Sequence, residues 1–136
     1  MSQDRIPVHR EEIDIRWGDM DALGHVNNTV YFRYCESVRV NWLASIGHGI
    51  EEGPIGPVVV NASCTFLAPI VYPERIVIEM FVSNPGRSSF DTWYEIRPAG
   101  RPEPLYTEGA SRVVWVDHRA GKSVPLPEDV RALLEG

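Results

Sequence analysis

The chain has 136 residues, the size of one domain. With 43% hydrophobic and 24% charged residues it has a globular balance, which excludes wholesale disorder. A net charge of −6 at pH 7 leaves no broad basic face for nucleic acid, and no apolar run approaches the ~18 residues of a membrane span. The opening residues, Met-Ser-Gln-Asp-Arg-Ile-Pro, hold no apolar signal core, so a cytoplasmic protein is expected. Two cysteines, Cys35 and Cys64, make neither a disulfide nor a metal framework. Both sit in apolar segments and are expected to be inert core thiols.

In chain order, residues 8–17 predict a strand, because Ile13, Ile15 and Trp17 alternate with Asp14 and Arg16. Residues 18–28 are polar and turn-rich. A long amphipathic helix follows. Val30, Tyr34, Val38, Trp42 and Ile46 recur every four residues, joined by Tyr31 and Cys35, while Arg33, Ser37, Val40, Asn41 and Ala44 mark the other side. Asn27 or Asn28 is the candidate N-cap and Gly47 the candidate stop. Residues 49–57 hold three Gly and two Pro and break the pattern. The period then changes to two. Strands are expected over 58–67, 74–83, 88–97 and 104–117, with turns at 84–87, 98–104 and 117–121. A short strand or loop comes next, and residues 127–135 read as a short helix with Pro127 in its first turn.

One helix of about 19 residues is about 28 Å long and needs a covering layer for its apolar face. Consecutive hairpins supply an antiparallel sheet, giving an α+β domain with the sheet wrapped around one long helix. Such a sheet leaves an edge or a face to be managed, so a homo-oligomer is expected.

The chemically dense stretch is Arg16-Trp-Gly-Asp-Met-Asp-Ala-Leu-Gly-His-Val-Asn-Asn-Thr-Val-Tyr31. It sets two Asp, one His and two Asn in a glycine-bearing loop that opens a helix. A helix start offers free N–H groups and a partial positive charge, which suit an anion or a developing oxyanion. A carboxylate beside it can act as base or nucleophile toward a carbonyl. The same residues also serve as plain turn and capping residues, and the chemistry of the stretch alone leaves both readings open.

This stretch resembles the active-site segment of hotdog-fold thioesterases of the 4-hydroxybenzoyl-CoA thioesterase type. The matching features are Gly-Asp-x-Asp at 18–21, Gly24, His-Val-Asn-Asn at 25–28, Tyr31 and Glu-x-x-Arg at 36–39. The looser likeness spans residues 8–134. The resemblance implies a hotdog fold over residues 1–136 and hydrolysis of an acyl-CoA, or an acyl-carrier-protein thioester, to the free acid. It implies Asp21 as the catalytic carboxylate and the backbone N–H near Asn28 as the carbonyl's donor. His25 matches the histidine of the acyl-carrier-protein branch, though Leu23 stands where that branch has Asn. Gly24, Asn27 and Tyr31 fall in the substrate-binding part of the segment, and Arg87 and Ser88 at the start of a later strand. No cofactor is implied, and a homodimer or homotetramer is. Two rivals stay open: an enoyl-thioester hydratase or dehydratase on the same fold, and a non-catalytic acyl-thioester binding module.

Three further expectations concern single residues. Asp19 is expected to bond loop N–H groups or Arg16. Glu36 and Arg39, three apart on a helix, are expected to form an ion pair. Arg87, Arg97, Arg101, Arg112 and Lys122 are candidates for the coenzyme phosphates, each weak because exposed Arg is usually solvated. His9, His48 and His118 show no zinc-ligand spacing, so no metal is expected.

Overall fold

The computed structural model describes residues 4–49 and 53–136. The first three residues of the segment read as lacking a signal core, and residues 50–52 of the predicted breaker, lie outside the described residues. The elements are β1 (Ile6–Asp14), a 3-10 turn (Trp17–Asp19), α1 (Asn28–Ser45), β2 (Ile55–Phe66), β3 (Arg75–Ser83), β4 (Ser89–Pro98), β5 (Thr107–Asp117), β6 (Lys122–Ser123) and α2 (Glu128–Leu134). The sheet runs in the order β1-β3-β4-β5-β2, with β6 paired to β5. The named ladders are antiparallel. This is the expected α+β hotdog architecture, with β1 and β2 as its two edges.

The alternation in the strands decides which face meets the helix. Ile76, Ile78, Met80 and Val82 of β3, and Phe90, Tyr94 and Ile96 of β4, are buried in one cluster with α1. Helix α1 contributes Tyr31, Tyr34, Cys35, Val38, Trp42 and Leu43 to it. The Trp42 and Phe90 rings meet edge-to-face at 6.1 Å, a favourable geometry for two quadrupoles. Strand β5 passes under the helix at Gly109. A Cβ there would lie 3.3 Å from both the Cys35 sulfur and the Tyr94 ring, so glycine is what lets helix and sheet approach.

At its far end α1 is tied to α2 by His48, whose Nε2 lies 2.8 Å from Asp129 Oδ2. Arg131 of α2 in turn donates from Nη2 to the carbonyl oxygens of Gly86 (2.6 Å) and Arg87 (3.1 Å). The outer face of the sheet carries ion pairs, Arg97 with Glu95 and Glu79 and Arg112 with Asp91, beside the cross-strand pair Phe81 and Trp93.

Four expectations are corrected. Strand β1 stops at Asp14, because the chain turns into the 3-10 element. Ile15 is buried, but Trp17 is 72% exposed. Strand β5 starts at Thr107, since the Tyr106 carbonyl is taken by the N–H groups of Leu67 and Ala68 in the loop after β2. Glu36 and Arg39 do not form an ion pair within 4.0 Å. Arg39 Nη1 instead donates to the Tyr94 hydroxyl at 3.1 Å, because β4 brings that hydroxyl beneath the helix. Finally, Cys64 is only half-buried, unlike Cys35.

Candidate active site

Residues 20–26 form a tight hairpin. Met20 and Val26 make an isolated antiparallel bridge. Inside it the Asp21 N–H donates to the His25 carbonyl and the Gly24 N–H to the Asp21 carbonyl, both at 3.0 Å. Gly24 takes φ +82°, the left-handed region that closes this turn without strain only for glycine. Val26 N–H reaches across to the Ile70 carbonyl at 2.9 Å, which pins the hairpin to the loop between β2 and β3.

The hairpin delivers Asp21 to the start of α1. Asp21 Oδ1 accepts the Leu23 N–H at 2.9 Å. Asp21 Oδ2 accepts Asn27 Nδ2 at 3.1 Å. Asn27 is the N-cap: its Oδ1 accepts the Thr29 N–H at 2.9 Å and the Thr29 hydroxyl at 2.6 Å. One side chain therefore couples the carboxylate to the helix terminus. The Asn28 N–H, at the first helical position, finds no acceptor among the described residues. The exposed carboxylate thus stands beside an available amide donor at the positive end of an 18-residue helix.

Asp19 is structural in this geometry. Its Oδ2 accepts the Arg16 backbone N–H at 3.0 Å and the Tyr34 hydroxyl at 2.7 Å. Its carbonyl accepts the Asn27 N–H at 2.9 Å. Burial, reinforced by the Asp19 carboxylate, drives the Tyr34 phenol well above its ordinary range, so it stays a donor. The Tyr34–Asp19 pair clamps the 3-10 turn onto α1.

The remaining sequence candidates divide. His25 is exposed, and among the described residues its ring has no hydrogen-bond partner; its backbone carbonyl does the ordering. Tyr31 is 2% exposed and packs edge-to-face against Phe66 at 5.0 Å and Tyr34 at 6.2 Å, so it fills the core. Arg87 and Ser88 lie at the other end of the sheet. Ser89 pairs with Val114, whereas the Asp21 hairpin leans on Ile70, near the Phe66–Thr107 end. A single chain does not bring Arg87 and Ser88 to Asp21. Of the other cations, Arg97, Arg101 and Arg112 are already ion-paired, with Glu95, Glu74 and Asp91. Arg87 Nη1 donates to Ser88 Oγ at 3.0 Å.

Large apolar groups surround the hairpin in the open: Trp17, Leu23, Leu67, Val71 and Tyr72 are each at least 42% exposed. Exposed apolar groups clustered around a polar loop are typical of ligand-binding and interaction surfaces. A cavity of about 340 Å³ lies elsewhere, between the C-terminal half of α1 and the start of β2, lined by Glu36, Arg39, Leu43, His48 and Val59 among others. Among the described residues no helix is long and apolar enough to cross a membrane.

Two interactions had little sequence signal. The Asp21–Asn27 bond spans six residues of loop, and the capping asparagine is its only trace. The His48–Asp129 contact joins residues 81 apart and leaves no pattern at all.

Comparison with known proteins agrees with this fold. Residues 15–134 match the family model of the Thioesterase-like superfamily. The PA2801 protein from Pseudomonas aeruginosa is 40% identical and superposes with a TM-score of 0.88, over 93% of this chain and 97% of that one. Acyl-acyl carrier protein thioesterase ATL3, chloroplastic, from Arabidopsis thaliana is 28% identical over 127 residues; the match takes in 91% of this chain and 66% of that protein. Slr0204 from Synechocystis, a 1,4-dihydroxy-2-naphthoyl-CoA thioesterase, shares the fold at TM-score 0.83 with 23% identity, over 93% and 94% of the two chains. The molecule is a hotdog-fold thioester hydrolase. The chain belongs to the Thioesterase-like superfamily.

Proposed function

We propose that the chain hydrolyses an acyl-CoA thioester to the free carboxylic acid and CoA in the cytoplasm. The observation that carries this reading is the Asp21 carboxylate held by the N-cap Asn27, beside the free Asn28 N–H at the helix start. In this proposal the thioester carbonyl oxygen accepts the Asn28 N–H, which polarises the carbon. Asp21 then attacks that carbon directly or takes a proton from an attacking water. Either way the negative charge that develops on the carbonyl oxygen sits at a preorganised donor. Collapse expels the CoA thiolate, which takes the proton released from water and leaves as the thiol; on the direct route water then cleaves the Asp21 mixed anhydride, releasing the acid and restoring the carboxylate. Gly24 keeps side-chain bulk away from the approach, and His25 holds the hairpin through its carbonyl. No cofactor enters the scheme.

The exposed edge of β2 and the apolar groups around the hairpin support a homo-oligomer, a dimer or a tetramer. Val59, Val60 and Phe66 of β2 are each at least 39% exposed, and an uncovered strand edge is otherwise an aggregation hazard. A two-fold axis across that edge would pair β2 antiparallel with its copy. The Ile55 end of one strand would then meet the Phe66 end of the other. That arrangement would bring the Arg87 and Ser88 end of one subunit toward the Asp21 end of its neighbour, where they would face the CoA phosphates.

Thiol release from a panel of acyl-CoAs tests the reading, with short, medium, long and aromatic members and wild type beside Asp21→Asn. Release that depends on Asp21 supports it. Wild-type release by the variant, or tight binding of an acyl-CoA without turnover of any thioester, refutes it.

A further inference from the structure

Cys35 and Cys64 are the chain's two cysteines, and the fold sets them side by side. Cys64 on β2 is the cross-strand partner of Gly109 on β5, so their side-chain positions share one face of the sheet. Cys35 descends from α1 onto the same spot, its sulfur 3.3 Å from the position of a Gly109 Cβ. Both cysteines line a cavity of about 250 Å³ together with Arg39, Ser63 and Tyr94. The two differ in access: Cys35 is 5% exposed, while Cys64 is half-buried.

That difference sets their chemistry. The neighbouring Cys35 thiol holds the Cys64 thiol below the ordinary cysteine range. The Cys64 sulfur beside it, with burial, pushes the Cys35 thiol up. A half-buried thiol with a buried second thiol next to it is the arrangement in which oxidation ends in a disulfide instead of an over-oxidised sulfur.

We propose that Cys64 and Cys35 form a peroxide-sensitive dithiol that converts to an intramolecular disulfide tying α1 to the edge strand β2. The Cys64 thiolate attacks one oxygen of hydrogen peroxide. An S–O bond forms, the O–O bond breaks, and the departing hydroxide is protonated to water. The Cys35 sulfur then attacks the Cys64 sulfenic sulfur. The S–S bond forms, the S–O bond breaks, and hydroxide leaves with the Cys35 proton as a second water. Two thiols lose two electrons and one peroxide is reduced to two waters; a dithiol reductant reverses the change. The cavity is large enough for hydrogen peroxide to reach both sulfurs.

The test is intact mass and thiol alkylation of the folded full chain after hydrogen peroxide treatment. Wild type should lose two hydrogens, with both cysteines closed to iodoacetamide after unfolding and reopened by dithiothreitol. Cys35→Ser should gain oxygen on Cys64. Cys64→Ser should keep Cys35 alkylatable with no oxygen added. Cys35→Ala asks the same question without placing a second hydroxyl in the core, and circular dichroism confirms that each variant is folded. Oxygen gain on wild-type Cys64 without a bridge, a chain-to-chain disulfide, or two thiols still alkylatable would each overturn the proposal.

Discussion

Asp21 and Asn27 are joined by a 3.1 Å hydrogen bond in which the amide of a helix cap donates to the carboxylate. The same amide's oxygen caps α1 through Thr29, so the side chain that organises the helix terminus also aims the carboxylate at it. Serine separates the two roles. Asn27→Ser keeps a cap oxygen but loses the donor to Asp21. Stability should stay within a few tenths of a kcal/mol of wild type, while turnover falls about tenfold, the loss of a positioning bond worth about 1.4 kcal/mol. Asn27→Ala loses both and should cost about 1 kcal/mol in urea unfolding as well.

The Tyr34 hydroxyl supports the site from below through Asp19 Oδ2 at 2.7 Å. Tyr34→Phe removes a donor to a charged acceptor and should destabilise the fold by about 2 kcal/mol. The loosened 3-10 turn should show as faster amide exchange at residues 16–19. Unchanged exchange there would contradict the clamp.

Gly24 stands at φ +82° with open space around its Cβ position, so any cost of a side chain is conformational, not steric. Gly24→Ala should cost about 1 kcal/mol and lower turnover by shifting the hairpin, whereas Gly24→Asn, which tolerates the left-handed region, should cost less. Thermal melts of the two variants check the order.

Much of this was legible in the sequence. Four-residue spacing in α1 and two-residue alternation in β3 and β4 are direct consequences of which atoms must leave water, so burial at Val38, Trp42, Ile78 and Phe90 followed from the pattern. The hairpin's chemistry was visible because Asp, Gly and Asn were concentrated in one loop. Partners chosen by tertiary geometry were not visible. Helical spacing pairs Arg39 with Glu36, yet Arg39 bonds Tyr94, 55 residues away. Within one chain Arg87 and Ser88 lie at the other end of the sheet from Asp21, a separation set by strand order that no local spacing shows. Trp17 continued the apolar alternation, but the Asp19 side chain ends the strand before it by accepting the Arg16 N–H.

The His48–Asp129 contact predicts an acid limb in stability. The hydrogen bond from His48 lowers the Asp129 carboxyl below its ordinary value of 3.8. A carboxylate whose pKa is lower in the folded state contributes stability that is present above the unfolded pKa and is lost as pH falls through the folded one. Unfolding free energy should therefore drop below about pH 4, and Asp129→Asn should flatten that limb. Because Asp129 is exposed, the change is small, and urea midpoints measured between pH 5 and pH 3 are the suitable readout.

The central claim is that Asp21 carries the chemistry from its place beside the Asn28 N–H. The most direct measurement is CoA-thiol release from the best acyl-CoA of the panel by wild type and Asp21→Asn, at matched folding and oligomeric state. Asparagine keeps an oxygen for the Leu23 N–H but supplies neither a base nor a nucleophile. A fall in kcat of about 10²–10⁴-fold is the predicted result, the usual contribution of a positioned proton acceptor. Release by Asp21→Asn at the wild-type rate would contradict it and move the chemistry away from this hairpin.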